Sequence, residues 1–332
     1  MNKFVFTCGD TNGIGPEIAV KALNQITERN KKDQFILIIP QNIFDSTIEL
    51  IEPRFHYKST NKLESNILSS SGIIVLKLKS AKQNPGNPTV HSGRAAYQAL
   101  QSSFEILKGG YTDAVITAPV SKSALNLAGV KYPGQTEMFA DWCSVKNFVM
   151  TFLSKNLRVG LYSIHIPLKE VSKSLNIKQL QIKLQIVNSM LTSDLGISNP
   201  KIALLGLNPH AGENGIIGDE EQKIMKPSIH DRNKFSNIQG PFSSDAFFAQ
   251  KKFKEFDFVF GLYHDQVLIP FKYINAGRGV NFSAGLPIVR TSPDHGVAYD
   301  IAGKGIADES SMIEAYKYAR IILKNRKANR ST

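Results

Sequence analysis

Cysteine is close to absent. Cys8 and Cys143 are the only two in 332 residues, too few for a disulfide framework and too isolated for a thiolate metal site, so a reducing compartment is expected. Long apolar runs are missing as well. No stretch approaches the roughly 20 apolar residues of a membrane span, and the opening run from Met1 to Cys8 is broken by Gly9 and Asp10, too brief for the apolar region of a signal peptide. The expectation is a cytoplasmic protein with no membrane partner. Internal repeats and low-complexity linkers are also lacking, which leaves any domain division soft. Acidic residues are in deficit, 28 against 40 Lys and Arg, for a formal net charge of +12. Such an excess points to nucleic acid only where it is clustered. The one cluster is the tail Lys324, Arg326, Lys327 and Arg330; the other basic residues are scattered. Nucleic acid is therefore not an expected partner. The diffuse positive field suits small anionic substrates, phosphorylated ones especially, or reflects only a lysine-rich composition.

What is present is a globular balance, 42% hydrophobic and 20% charged residues, over a length sufficient for two lobes with their own cores. The densest chemistry lies at 261–272, with His264, Asp265 and Lys272 inside twelve positions. The aromatic and branched run 256–260 before it reads as a strand that ends where His264 and Asp265 begin. In open parallel sheets ligands sit beyond the carboxyl ends of strands, so these three side chains form a candidate site. The alternative is a surface loop with ordinary polar residues.

Strands are expected at 4–8, 34–39, 73–78, 113–116, 148–153, 157–164 and 201–205, and helices from Pro16, over 93–107, up to Gly129, from about Thr136, over 179–195 and over 308–323. The serine run at 69–71 reads as a soft lead-in to the third strand. Alternation of strand and helix predicts an α/β fold with a mostly parallel sheet. The turn from Gly9 to Gly15 has neither the GxGxxG spacing nor a Walker lysine and hydroxyl, so there is no Rossmann fingerprint and the glycines serve a tight strand-to-helix turn. Thr136, at the start of a helix, can either meet an anion or cap that helix.

His165, His210 and His264 each come soon after an apolar strand and beside a Pro, Gly or Asp that ends regular structure. Three neutral imidazoles with an open coordination position are a known way to hold a catalytic divalent ion, commonly zinc; singly, each is equally a hydrogen-bonded loop residue. His56, His91 and His230 lack this setting and read as surface residues, and His295 reads as capping or orienting a helix.

The motifs GDTNGIGPE, TAPVSK, PGQTE, LNPHAGE, YHDQ…P.K and GVN…GLP.VRTS.DHG, in this order over nearly the whole chain, closely resemble the 4-hydroxythreonine-4-phosphate dehydrogenase family of pyridoxal phosphate biosynthesis. The resemblance implies a two-lobed α/β/α fold of the isocitrate and isopropylmalate dehydrogenase type. Its first lobe would span 1–122 plus 290–332, and its second, 123–289, would carry the metal histidines and the dimer contacts. It implies NAD or NADP as cofactor, a divalent metal (zinc, magnesium or cobalt) on His165, His210 and His264, and a homodimer whose sites lie at the interface. Substrate contacts fall on Thr136, Lys272, Asn281 and Arg290. Two positions depart from the pattern: Gln135 stands where the family's GHTE motif has histidine, and Val267 where glycine is frequent. An amide at 135 can donate a hydrogen bond but cannot carry charge. Lys272 and Arg290 are the natural partners of phosphate and carboxylate, while Asp265 and Asp245 are candidates for orienting a ligand or relaying a proton. The implied activity is metal-dependent, NAD(P)-linked oxidation and decarboxylation of 4-phosphohydroxy-L-threonine. The alternatives are the same chemistry on threonate or erythronate phosphates, and a phosphate acyltransferase of related fold.

Overall fold

The computed structural model describes residues 1–63, 72–275 and 277–330; the serine run at 69–71 lies outside the described residues. In chain order the strands are β1 Lys3–Thr7, β2 Gln34–Pro40, β3 Tyr57–Thr60, β4 Ile73–Leu78, β5 Ala114–Thr117 and β6 Val149–Leu153. They continue with β7 Arg158–Leu161, β8 Ile202–Leu205, β9 Ile238–Phe242, β10 Phe258–Gly261, β11 Val280–Ala284 and β12 Arg290–Pro293. The chain forms two compact units, one from Met1–Phe139 with Ile288–Leu323, the other from Ala140–Pro287 with the tail beyond Lys324.

In the first unit the strand order is β3-β4-β2-β1-β5-β12, and every pairing is parallel. β2 and β5 are buried along nearly their whole length, as is β1 beyond Lys3. That is why they read as unbroken apolar runs: a parallel strand covered on both faces has no wet side. Helix Val90–Lys108 starts at a capping box in which Thr89 and Ser92 satisfy each other's backbone N–H groups. A Cβ on its Gly93 would stand 1.9 Å from the carbonyl oxygen of Ala124, so helix Lys122–Leu127 lies against it with no room for a side chain. This contact keeps the segment after 122 with the first unit, and the grouping changes at Phe139 and Ala140 rather than at 122. The buried Asn12 clasps the loop ahead of Thr89. Its Oδ1 accepts from Asn84 N at 2.9 Å, and its Nδ2 donates to Asn87 O at 2.9 Å and to Thr89 Oγ1 at 3.2 Å.

In the second unit the order is β11-β6-β7-β10-β8-β9. β7, β10, β8 and β9 run parallel, while β6 is antiparallel to both β7 and β11. The sheet is therefore mostly parallel, with the reversal confined to β6. Phe152, Val159, Leu161, Leu205, Val259 and Phe271 belong to its core. A surface loop does not follow β10: helix His264–Asn275 begins almost at once, with Pro270 inside it. The last helix, Ser310–Arg330, runs past the expected end at 323. Arg326 in its final turns binds Asp194 two-pronged, Nε to Oδ1 at 2.7 Å and Nη2 to Oδ2 at 3.1 Å, which ties the basic tail into the second unit rather than the first.

Helix Ile177–Ser189 presents Lys183 to an apolar setting. Its Nζ donates to Phe148 O at 3.1 Å and lies 5.8 Å from the Tyr162 ring centre. Burial lowers the lysine pKa from 10.5 to about 8. Below pH 8 the folded protein carries a desolvated ammonium, and the unfolded chain keeps its proton up to about 10.5. Stability from this group therefore rises as pH climbs between those values. Lys183→Met is expected to stabilise the protein at pH 7 by about 1–2 kcal/mol, less than the full shift because the carbonyl and the rings already support the charge. It should also flatten the rise in the urea midpoint between pH 8 and 10.5; an unchanged slope would refute the assignment.

Candidate active site

β7, β10 and β8 are adjacent and parallel, so their carboxyl ends lie on one edge of the sheet. His165 follows β7, His264 follows β10 and His210 follows β8. Strand spacing alone puts the outer two strands about 10 Å apart. All three imidazoles are exposed. Among the described residues no group of three or more His, Cys, Asp or Glu is gathered closely enough to hold a metal ion. One chain thus sets three imidazoles along one edge without drawing them together.

His264 and His210 are held differently. His264 opens its helix, and its Nδ1 meets Asp265 Oδ1 at 2.7 Å. A carboxylate on one ring nitrogen fixes the tautomer and leaves Nε2 to bind outward. The next residue but one, Gln266, is buried and joins three segments. Its Oε1 accepts from Leu262 N at 2.6 Å, and its Nε2 donates to Gly206 O at 2.6 Å and to Ser244 Oγ at 2.9 Å. It links the end of β10, the end of β8 and the helix Ser244–Ala249 that carries Asp245.

His210 sits in an unusual turn. From His210 to Asn214 every φ is positive, 52°, 50°, 77°, 40° and 58°, and four of these residues are not glycine. Left-handed backbone costs each non-glycine residue on the order of 1 kcal/mol or more, so surrounding bonds must over-determine the turn. Glu221 holds the segment that leads into the turn. Its Oε1 accepts from Leu207 N and Asn208 N, both at 2.8 Å, and its Oε2 from Asn208 Nδ2 at 3.0 Å. Asp245 is close enough to feel His210. Its carboxyl pKa lies below the ordinary range, chiefly through the Ser243 hydroxyl at 2.5 Å, with backbone N–H and His210 adding to the effect. Lys272 is exposed on the helix opened by His264; eight residues of helix carry it about 12 Å along the axis, away from the strand end where Asp265 stands. Asn281 is buried on β11 opposite Phe152.

The first unit holds the other expected residues. Arg290 opens β12 and is 2% exposed. Its guanidinium donates to Thr117 Oγ1 from Nε at 3.1 Å and Nη2 at 2.8 Å. Nη2 also reaches Gln135 Oε1 at 2.9 Å and Ser292 Oγ at 3.0 Å, and Nη1 reaches Thr136 Oγ1 at 3.4 Å. Burial pulls its pKa down to about 9, with Glu137 acting the other way, and it remains a cation at neutral pH. Gln135 spends its oxygen on Arg290 and its Nε2 on Ala118 O at 3.1 Å. The amide thus orients the arginine without adding charge. Thr136 is buried at the start of helix Gln135–Trp142.

The turn after β1 does not fit a dinucleotide pyrophosphate. Gly13 N and Ile14 N already donate to Asp10 O and Val297 O. A Cβ on Gly15 would stand 2.1 Å from Cys8 O, and one on Gly13 2.7 Å from Val297 O. These glycines permit close packing rather than cradling phosphate. The metal fares better on donor chemistry, since three imidazoles on one edge, one of them oriented by a carboxylate, suit a divalent ion of the zinc type. The bracing by Glu221 and Gln266 behind this edge was not legible in the sequence. Glu221 stands in an acidic run, and only the flanking Gly206 and Gly212, which leave room for it, hint at its burial.

Residues 31–319 match the family described as pyridoxal phosphate biosynthetic protein PdxA. A relative named 4-hydroxythreonine-4-phosphate dehydrogenase from Sulfurihydrogenibium sp. is 37% identical over 328 residues, covering 98% of this chain and 100% of its own. One from Oceanobacillus iheyensis, provisionally named a D-threonate 4-phosphate dehydrogenase, is 36% identical over 319 residues, covering 94% and 95%. The crystal structure of 4-hydroxythreonine-4-phosphate dehydrogenase from Klebsiella pneumoniae superposes with a TM-score of 0.82 at 31% identity, covering 97% of this chain and 98% of that one. With a family match over most of its length and relatives alike from end to end, the chain belongs to the PdxA family.

Proposed function

We propose that the protein is a metal-dependent, NAD(P)-linked dehydrogenase that converts 4-phosphohydroxy-L-threonine to 3-amino-2-oxopropyl phosphate. The carbinol carbon gives up hydride to the oxidised nicotinamide and the hydroxyl gives up its proton. The resulting β-keto acid loses carbon dioxide and takes up one proton, so the two proton movements cancel. The observation that carries the reading is the placement of His165, His264 and His210 beyond three neighbouring parallel strands, in a chain of this family.

The residues divide the work. His165, His210 and His264 would hold a divalent ion such as zinc, magnesium or cobalt. Such an ion, when bound, acidifies the substrate hydroxyl and stabilises the negative charge that develops on decarboxylation. Asp265 keeps the His264 ring in position, and Asp245, held ionised by the Ser243 hydroxyl, orients the groups beside His210. Arg290, buried yet charged, takes an anionic group of the substrate with its planar fork, flanked by Thr136 and Gln135. Asn281 donates neutral hydrogen bonds, and Lys272 serves as a mobile cation for phosphate. The working form is a homodimer in the cytoplasm with a site built from both chains. Supporting this, one chain leaves the histidines apart, and its second unit exposes Leu168 at 68%, Ile216 at 81%, Ile269 at 65% and Tyr273 at 89%. Ile269 and Tyr273, four residues apart on helix His264–Asn275, share one face of it, an exposed apolar patch of the kind another chain covers.

The test is reduced nicotinamide formation from 4-phosphohydroxy-L-threonine with and without a chelator. Turnover abolished by chelation and restored by zinc, magnesium or cobalt is expected, and chelator-resistant turnover would overturn the metal dependence. A second substrate, D-threonate 4-phosphate, has specific support from the Oceanobacillus iheyensis relative and from the uncharged Gln135. A higher kcat/KM on that acid than on the amino acid would select it.

A further inference from the structure

We propose that Glu221 is the positioning residue for His210, the buried anchor that fixes the left-handed turn in the conformation that presents the imidazole. The inference rests on His210 being a metal ligand. Glu221 is fully buried, and its acceptors are aimed at the two residues that lead from β8 into the turn. Leu207 N and Asn208 N lie 2.8 Å from Oε1, and Asn208 Nδ2 lies 3.0 Å from Oε2. The turn is moulded around this carboxylate. A Cβ on Gly212, at φ +77°, would stand 2.6 Å from Oε2, and one on Gly206 would stand 3.2 Å from Oε1 and 2.9 Å from Ala211 Cα. Asn208 is gripped a second time by Glu220 Oε2 at 2.8 Å.

All three partners of Glu221 are N–H donors, so the site wants an acceptor at both oxygens. A glutamine preserves the shape and one acceptor but turns an N–H group toward a donor, loosening Asn208 while the core stays filled. Glu221 does not touch the ring and acts only through the backbone that carries it. A purely structural residue would lower the melting temperature and leave the metal environment of the folded protein unchanged. A positioning residue changes that environment even where folding is intact.

The experiment titrates Co²⁺ into the intact metal-free protein and follows visible absorption and thermal unfolding for the wild type, Glu221→Gln, Gly212→Ala and His210→Ala. Glu221→Gln is expected to bind Co²⁺ about tenfold to a hundredfold more weakly, with an altered absorption band and unchanged secondary structure. His210→Ala is expected to lose the site. Wild-type affinity and spectrum in Glu221→Gln, with the site lost in His210→Ala, would overturn the positioning role. Wild-type binding by His210→Ala would instead overturn the ligand assignment. Should Glu221→Gln fail to fold, Gly212→Ala gives the answer in its place: it keeps the carboxylate, disturbs the turn and is expected to weaken Co²⁺ binding by a similar factor, and wild-type binding there refutes the proposal.

Discussion

Replacing His264 by alanine is expected to strip the divalent ion and lower kcat/KM by at least about a thousandfold, equivalent to roughly 4 kcal/mol of transition-state stabilisation. The ring is exposed at the start of its helix, while the residues that anchor that helix, Val267, Leu268 and Phe271, belong to the core of the second unit. The alanine variant should therefore unfold within a few degrees of the wild type. Metal content by elemental analysis, melting temperature and turnover, measured on one preparation, check the prediction together. A variant that keeps a full complement of metal and most of its activity would remove His264 from the metal site.

Arg290→Lys should cost about a hundredfold or more in kcat/KM, because truncating a buried, hydrogen-bonded charge typically costs 2–5 kcal/mol and an ammonium cannot reproduce the fork. One guanidinium serves Thr117, Gln135, Ser292 and Thr136; a lysine reaches a subset and leaves the others unpaired in a buried setting. The loss is expected mainly in KM if the arginine grips an anion equally throughout the reaction, and equally in kcat and kcat/KM if that anion is the carboxylate that departs. Unfolding stability should drop by about 1–3 kcal/mol from the unpaired groups. Substrate titrations with urea unfolding of the same variant check both, and near wild-type kcat/KM would take Arg290 out of the site.

The strands were legible because burial on both faces writes itself as unbroken apolar sequence: Phe4, Val5 and Phe6 are all fully buried. Elements that escaped the reading are those whose residues face water or break the pattern, or, in β11 Val280–Ala284 and β12 Arg290–Pro293, those whose buried polar residues such as Asn281, Ser283, Arg290 and Ser292 do not read as an apolar run. β3 has exposed Tyr57, Lys58 and Ser59, and β9 contains Gly240 and Pro241. Helix Gln41–Leu50 was not expected at all. Pro270 hid the helix that His264 begins, since proline ordinarily argues against a helix interior. Of the candidate site, the histidines could be proposed from their neighbours in sequence, but the buried carboxylate that binds the segment leading to His210 could not. Glu221 looks like any acid of the run Asp219, Glu220 and Glu221, and its burial follows from where two distant glycines leave space.

The clasp formed by Asn12 bears on the chemical lifetime of the protein. Asn12 precedes Gly13, the pair in which an asparagine amide most readily cyclises and hydrolyses to aspartate or isoaspartate, and heat-labile residues of this kind limit durability. Cyclisation needs the glycine nitrogen to attack the side-chain carbon. In the folded chain that nitrogen donates to Asp10 O at 3.1 Å, and the amide itself is bound at both ends. Ageing at this bond should therefore wait on local opening. Once it occurs, the donor facing Asn87 O and Thr89 Oγ1 becomes an acceptor, so the damaged molecule cannot re-form the clasp and the rare opening that ends in cyclisation leaves a permanent chemical scar.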